Sequence, residues 1–203
     1  MMIVGLTGSI AMGKTEVAKV ISQLGIPVFD ADKEVHKLYD SSEGVSLLQD
    51  QVPEAIVENR VDRQKLSSLV LHDPQRLTQL ETIVHAEVAK RRDKFLKEAK
   101  RANHQIVVLD IPLLFEKNLE VHTDITVVVS APENLQHSRA LARPGMTKQR
   151  LEKILERQMP DAEKRRHADH VIENLGTLHD LELKTRLLFS QLAKIQENPT
   201  HAS

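Results

Sequence analysis

Residues 8–15 read Gly8-Ser9-Ile10-Ala11-Met12-Gly13-Lys14-Thr15: a glycine, four free positions, then Gly-Lys-Thr. That spacing suits one task, holding the phosphates of a nucleotide. Glycine lets the backbone turn tightly, so that successive N–H groups point at phosphate oxygens. A helix beginning near Gly13 adds the positive end of its dipole. Lys14 then reaches the β- and γ-phosphates, and the Thr15 hydroxyl is placed to ligate Mg²⁺. The nucleotide-binding set in this segment is Gly8, Ala11, Met12, Gly13, Lys14, Thr15 and Glu16. The alternative is a glycine-rich turn that binds nothing. Its position between an apolar strand and an amphipathic helix speaks against that.

Other charged residues could complete a phosphoryl transfer. Asp32, expected at the end of the second strand, can orient an attacking hydroxyl and accept its proton. The plainer reading makes Asp30 or Asp32 the N-cap of the helix that follows. Asp110, closing a later strand, is placed for the Mg²⁺ hydration shell or is a strand-end turn residue. Arg139 and Arg143 flank a turn at Arg143-Pro144-Gly145, and a planar guanidinium spreads charge over phosphate oxygens. Both could instead be surface ion-pair partners. His85 has no second ligand at metal spacing, which leaves a polar substrate contact or a helix-face histidine.

The elements that must position these groups follow from periodicity. Ile3–Thr7, Ile26–Phe29, Ile106–Leu109, Ile125–Val129 and His170–Ile172 are short apolar runs ending at turn residues, and so strands. Helical spacing recurs at Val17, Val20, Ile21 and Leu24, with Gly25 as the stop. It recurs again at Val35, Leu38 and Tyr39, at Leu66, Leu69 and Val70, and after Asp73-Pro74. Helices ending near Leu141, around Leu151–Leu155 and over Leu178–Ile195 complete the pattern, with a frayed tail after Glu197. Strands apolar on both faces, alternating with helices, predict a three-layer α/β/α fold with a doubly wound parallel sheet. In such sheets ligands bind at the carboxyl ends of the strands, here marked by Gly8, Asp32 and Asp110.

Bulk properties narrow the class. The 203 residues, 40% hydrophobic and 28% charged, can bury a core as one domain with insertions. A formal charge of −1 argues against a general nucleic-acid binder. The clusters Lys90-Arg91-Arg92 and Lys164-Arg165-Arg166 are expected to be solvated helix faces. No cysteine, signal sequence or bilayer-length apolar run is present, which fits a soluble cytoplasmic protein. Ser130-Ala131-Pro132-Glu133 stands where a guanine-specific GTPase carries Asn-Lys-x-Asp. A small-molecule kinase fits best, and a nucleotide-binding regulator without transfer activity is the rival.

The motifs in order resemble the dephospho-CoA kinases. They are Gly5-Leu6-Thr7-Gly8-Ser9-Ile10, Gly13-Lys14-Thr15, Val28-Phe29-Asp30-Ala31-Asp32, Val61-Asp62-Arg63 and Leu80-Glu81-Thr82-Ile83-Val84-His85. Then come Asp110-Ile111-Pro112-Leu113-Leu114-Phe115-Glu116, Gln136, Arg139, Arg143, Gln158 and Ala168-Asp169-His170-Val171-Ile172-Glu173-Asn174. The resemblance spans Ile3 to about Leu181. It implies ATP- and Mg²⁺-dependent phosphorylation of the ribose 3′-hydroxyl of dephospho-CoA, the last step of coenzyme A synthesis. It implies a P-loop NTP hydrolase-like core over about 1–32 and 104–203, a helical acceptor domain over about 33–103 and a small lid over about 138–150. Asp32 would be the base, and Lys14 and Arg143 would act on the transferring phosphoryl. Arg63, His85, Pro112, Leu113 and Leu114 would line the acceptor site. Arg139 and Asn174 would face ATP, Asn174 near the adenine. The working form would be a monomer or weak homo-oligomer acting on a small molecule. Two positions depart from the family, which usually has glycine at Ala11 and proline at Ala86. Ala11 fits if its φ is negative.

Overall fold

The apolar N-terminal run forms strand β1 (Met2–Thr7), and the loop after it delivers the chain to helix α1 (Lys14–Gln23). A computed structural model describes residues 1–71 and 73–197, so the tail expected to fray lies outside the described residues. After β2 (Val28–Asp30) come α2 (Ala31–Tyr39), α3 (Ser42–Leu48), β3 (Ile56–Val57), β4 (Arg60–Val61), α4 (Arg63–Leu71) and α5 (Pro74–Arg101). Then follow β5 (Ile106–Asp110), β6 (Ile125–Ser130), α6 (Glu133–Leu141), α7 (Lys148–Leu155), α8 (Asp161–His167), β7 (His170–Glu173) and α9 (Leu178–Glu197). Two compact units result, residues 1–29 with 98–203 and residues 30–97.

The first unit is built on a five-stranded sheet of order β2-β5-β1-β6-β7. Strand β1 runs parallel to both β5 and β6, and β7 runs parallel to β6. Parallel pairing needs crossover connections, and the helices making them cover the sheet. Val4 and Leu6 of β1 join Val108, Val127, Val129 and Ile172 against Val17 and Ile21 of α1 and Leu181, Phe189 and Leu192 of α9. Burying each such side chain stabilises the fold by about 1.5–3 kcal/mol. Chain direction across the sheet reverses about β1, because β2 and β5 lie on one side and β6 and β7 on the other. The crevice at the carboxyl end of β1 is therefore the ligand position of a doubly wound sheet.

The second unit is mostly helical, with its own core of Leu38, Val45, Leu48, Val61, Leu66, Leu80 and Val84. Its hairpin β3–β4 turns on Glu58 (φ 49) and Asn59 (φ 59), a two-residue connection with both φ positive. Helix α5 continues unbroken through Ala86, which a proline there would have kinked.

The basic cluster at residues 164–166 departs at one residue from the solvated face its composition predicts: Arg165 and Arg166 are exposed, but Lys164 is fully buried and pairs with Glu116 at 2.8 Å. Arg165 reaches the Ser130 hydroxyl and the Glu173 carboxylate from the surface. In the other cluster Lys90 is exposed and the half-buried Arg91 is held by Glu34 and Glu43. The partner that holds Lys164 inside comes from a distant segment, and no local pattern announces it.

One carboxylate ties the sheet to acid stability. Burial raises the Asp169 pKa, but the Thr126 hydroxyl and N–H, both 2.7 Å from Oδ2, outweigh it and hold the group below its ordinary value. A depressed folded-state pKa gives stability that is present above the unfolded carboxylate pKa of about 3.9 and lost as pH falls through the folded value. Asp169→Asn is therefore expected to lower the urea midpoint by more at pH 7 than at pH 3. Equal losses at both pH values would rule out the ionised carboxylate as the source.

Candidate active site

The loop leaving β1 is shaped by three backbone constraints. A β-carbon at Gly8 would lie 2.6 Å from the Val129 carbonyl oxygen, so only glycine lets the chain pass that close to β6. Gly13 has φ 102 and is the N-cap of α1. Ala11 has φ 62, not the negative φ that a β-carbon prefers, which corrects the sequence expectation. A non-glycine residue in this region costs about 1 kcal/mol. Its methyl packs with Ala140 and Leu151, so the side chain that strains the backbone also fills a small core beneath α6 and α7.

With Gly13 as N-cap, the free N–H groups of the first turn of α1 face the loop. Lys14 opens that turn and pairs with the carboxylate of Asp110 at the end of β5. Asp110 is 3% exposed, and a buried carboxylate of this kind holds the ammonium at the loop. Thr15 is exposed at the same turn, Met12 is buried, and Glu16 pairs with Lys19 at 2.8 Å. The hydroxyl of Thr15 and the carboxylate of Asp110 are hard oxygen donors. Together with nucleotide phosphates they fit Mg²⁺, which takes few protein ligands and keeps water and phosphate in its shell.

Asn174 follows β7 and is 5% exposed. Its Nδ2 donates to the Met12 carbonyl at 3.0 Å, while Arg139 makes longer contacts of 3.3 and 3.5 Å to its Oδ1 and backbone oxygen. The amide and the guanidinium thus meet behind the loop. Arg143 lies in the exposed turn after α6, and the same turn contains Gly145 with φ 73. An open cleft of about 640 Å³ borders the outer side of the loop, lined by Ser9, Met12, Ser130, Gln136, Gln158 and Asp161.

After β5, Pro112 begins a compact turn. Its carbonyl accepts from the Thr7 hydroxyl at 3.0 Å and from Lys164 Nζ at 3.2 Å. Leu114 is fully buried under Gly5, and Pro112 and Leu113 keep part of their surface exposed. Composition hid Lys164, which reaches Pro112 from the run of basic residues.

Three sequence candidates belong to the second unit. Strand β2 ends at Asp30, whose carboxylate accepts from the Lys33 N–H and caps α2. Asp32 is therefore not the last strand residue; it lies exposed in the first turn of α2. The cap and the chemistry candidate are two different aspartates. Arg63, at the start of α4, donates to Asp40 at 2.6 Å and contacts the His36 ring. His85 is exposed on α5.

Comparison with known proteins places this arrangement. The family model described as dephospho-CoA kinase matches residues 2–180. The dephospho-CoA kinase of Brucella melitensis is 45% identical over 181 residues, covering 89% of this chain and 90% of the relative. A Thermus thermophilus protein of known structure superposes with a TM-score of 0.80 at 38% identity, covering 94% of this chain and 97% of its own. The dephospho-CoA kinase from Campylobacter jejuni superposes with a TM-score of 0.74 at 23% identity, over 95% of this chain and 97% of its own, which speaks for the fold. The matched span starts at the first residue of β1 and ends beyond β7. With the phosphate loop, Lys14 and Asp110 arranged as above, the chain belongs to the dephospho-CoA kinase family.

Proposed function

We propose that the protein transfers the γ-phosphoryl group of ATP to the ribose 3′-hydroxyl of dephospho-CoA, giving coenzyme A and ADP. The observation that carries this reading is Lys14 in the first turn of α1, behind a loop whose backbone only glycine could complete, in a chain of this family. The loop amides and Lys14 hold the triphosphate. Arg143 arrives from the turn after α6, with residues 138–150 acting as a lid. Asp32 orients the acceptor hydroxyl and takes its proton, and residues 33–103 with Arg63 and His85 bind the acceptor, as do Pro112, Leu113 and Leu114. Thr15 and Asp110 would hold Mg²⁺, which would supply positive charge to offset that of the triphosphate. Transfer is direct and in line, so positioning and charge stabilisation supply most of the acceleration. The working protein is cytoplasmic, a monomer or weak homo-oligomer, with a small-molecule acceptor.

The test is ADP release from Mg-ATP by the purified protein, with dephospho-CoA, with AMP and with no acceptor. Turnover that requires dephospho-CoA is the expected result. Turnover with AMP alone would reassign the acceptor, and ATP binding without any turnover would favour a nucleotide-dependent regulator.

A further inference from the structure

Two glutamines of the sequence motifs have no part in the mechanism above. Gln136 sits on α6 and is 5% exposed, and Gln158 follows α7. Both reach the same residue of the phosphate loop, one on each of the two peptides that flank its α-carbon. Gln158 Oε1 accepts from the Ile10 N–H at 3.0 Å, and Gln136 Nε2 donates to the Ile10 carbonyl at 3.0 Å. Two residues on, Asn174 Nδ2 donates to the Met12 carbonyl at 3.0 Å. The residue between the held carbonyls is Ala11, in the left-handed conformation at φ 62. A left-handed alanine persists only where its surroundings over-determine it. Here they do: one flanking residue has both its polar groups tied, the other has its carbonyl tied, and the methyl is enclosed by Ala140 and Leu151.

The consequence concerns the amides that are left over. With Ile10 N–H bonded to Gln158 and Met12 N–H bonded to the Ser9 carbonyl at 3.2 Å, the N–H groups of Ala11, Gly13, Lys14 and Thr15 are the ones left for an anion. Left-handed turns, here at Ala11 and Gly13, are the backbone form that gathers amides around an anion. We propose that Gln136, Gln158 and Asn174 are positioning residues that hold the phosphate loop in its anion-binding shape before the nucleotide arrives. The inference rests on the reading of residues 8–15 as a phosphate site. The glutamines stand in the chain on either side of residues 138–150, so the segments that flank Arg143 are both fastened to Ile10.

The test is the affinity of Gln136→Met, Gln158→Met and the double variant for ADP and for pyrophosphate, by titration calorimetry well below each variant's Tm. Each single variant leaves one part-buried polar group of Ile10 without its partner. That is expected to weaken both ligands by up to about tenfold, from the value of a lost hydrogen bond. The double variant should lose less than the product of the two, because both act through one residue. The KM for dephospho-CoA should stay within about twofold. A merely structural role would lower Tm and leave both affinities of the folded protein unchanged, and that outcome overturns the proposal. Weakening of ADP but not of pyrophosphate overturns it too, since the glutamines would then serve the nucleoside. Failure of the kinase reading looks different: the wild type would bind pyrophosphate yet phosphorylate no dephospho-CoA.

Discussion

Replacing Asp32 by alanine is expected to lower kcat for dephospho-CoA by about 10²–10⁴-fold, the range of general-base effects. The KM for ATP and the fold should be nearly unaffected. The separation is possible because two aspartates share the start of α2 with different duties. Asp30 is the N-cap, accepting from the Lys33 N–H at 3.0 Å and pairing with the Lys33 side chain. Asp30→Ala should therefore cost about 1 kcal/mol of stability through the lost cap. Asp32 lies one residue into the helix with its carboxylate exposed, so its removal forfeits at most about 1 kcal/mol of favourable helix-dipole interaction. Steady-state kinetics with thermal unfolding on both variants checks the assignment. A loss of kcat in Asp30→Ala equal to that in Asp32→Ala would mean that the geometry of α2, and not one carboxylate, sets the rate.

That division of labour also shows what a sequence can and cannot supply. The strands of the main sheet and the phosphate loop were legible because they depend on local pattern: apolar runs of strand length, and a Gly-Lys-Thr step into an amphipathic helix. Asp30 and Asp32 were recognised as one cap and one candidate, but which was which depended on where β2 stopped. The β3–β4 hairpin escaped notice because Glu58-Asn59 is not the Asn-Gly or Asp-Gly pair that announces a turn with both φ positive. Ala11 illustrates the opposite error. The residue type argued for negative φ, and tertiary bonds to its neighbours imposed the left-handed one. Long-range polar partners, such as Gln158 for Ile10 across 148 positions, leave no periodic trace.

Lys164 is the extreme case, and the largest stability effect is expected there. Its side chain has no solvent exposure, and its Nζ is 2.8 Å from Glu116 Oε1 and 3.2 Å from the Pro112 carbonyl. The same Glu116 oxygen accepts from the Met159 N–H at 2.7 Å, and Oε2 is buried with no hydrogen-bond partner among the described residues. Lys164→Met keeps much of the volume but strands the Glu116 carboxylate, which should cost about 3–5 kcal/mol. Against a total stability of about 5–15 kcal/mol this is a large fraction. It should be read as a lowered urea midpoint at unchanged slope. Adding Glu116→Gln removes the stranded charge while retaining an acceptor for Met159, so the double variant should recover most of the loss. A double variant no more stable than Lys164→Met would place the cost in packing and not in the charge. The pair also bears on function through Pro112, whose carbonyl is held only by Thr7 and Lys164 among the described hydrogen bonds. In the double variant, stable enough to assay, Pro112 loses one of these two donors. The KM for dephospho-CoA should then rise by about tenfold, as for one lost hydrogen bond, while the KM for ATP, set at the other end of the Thr7–Thr15 segment, stays the same.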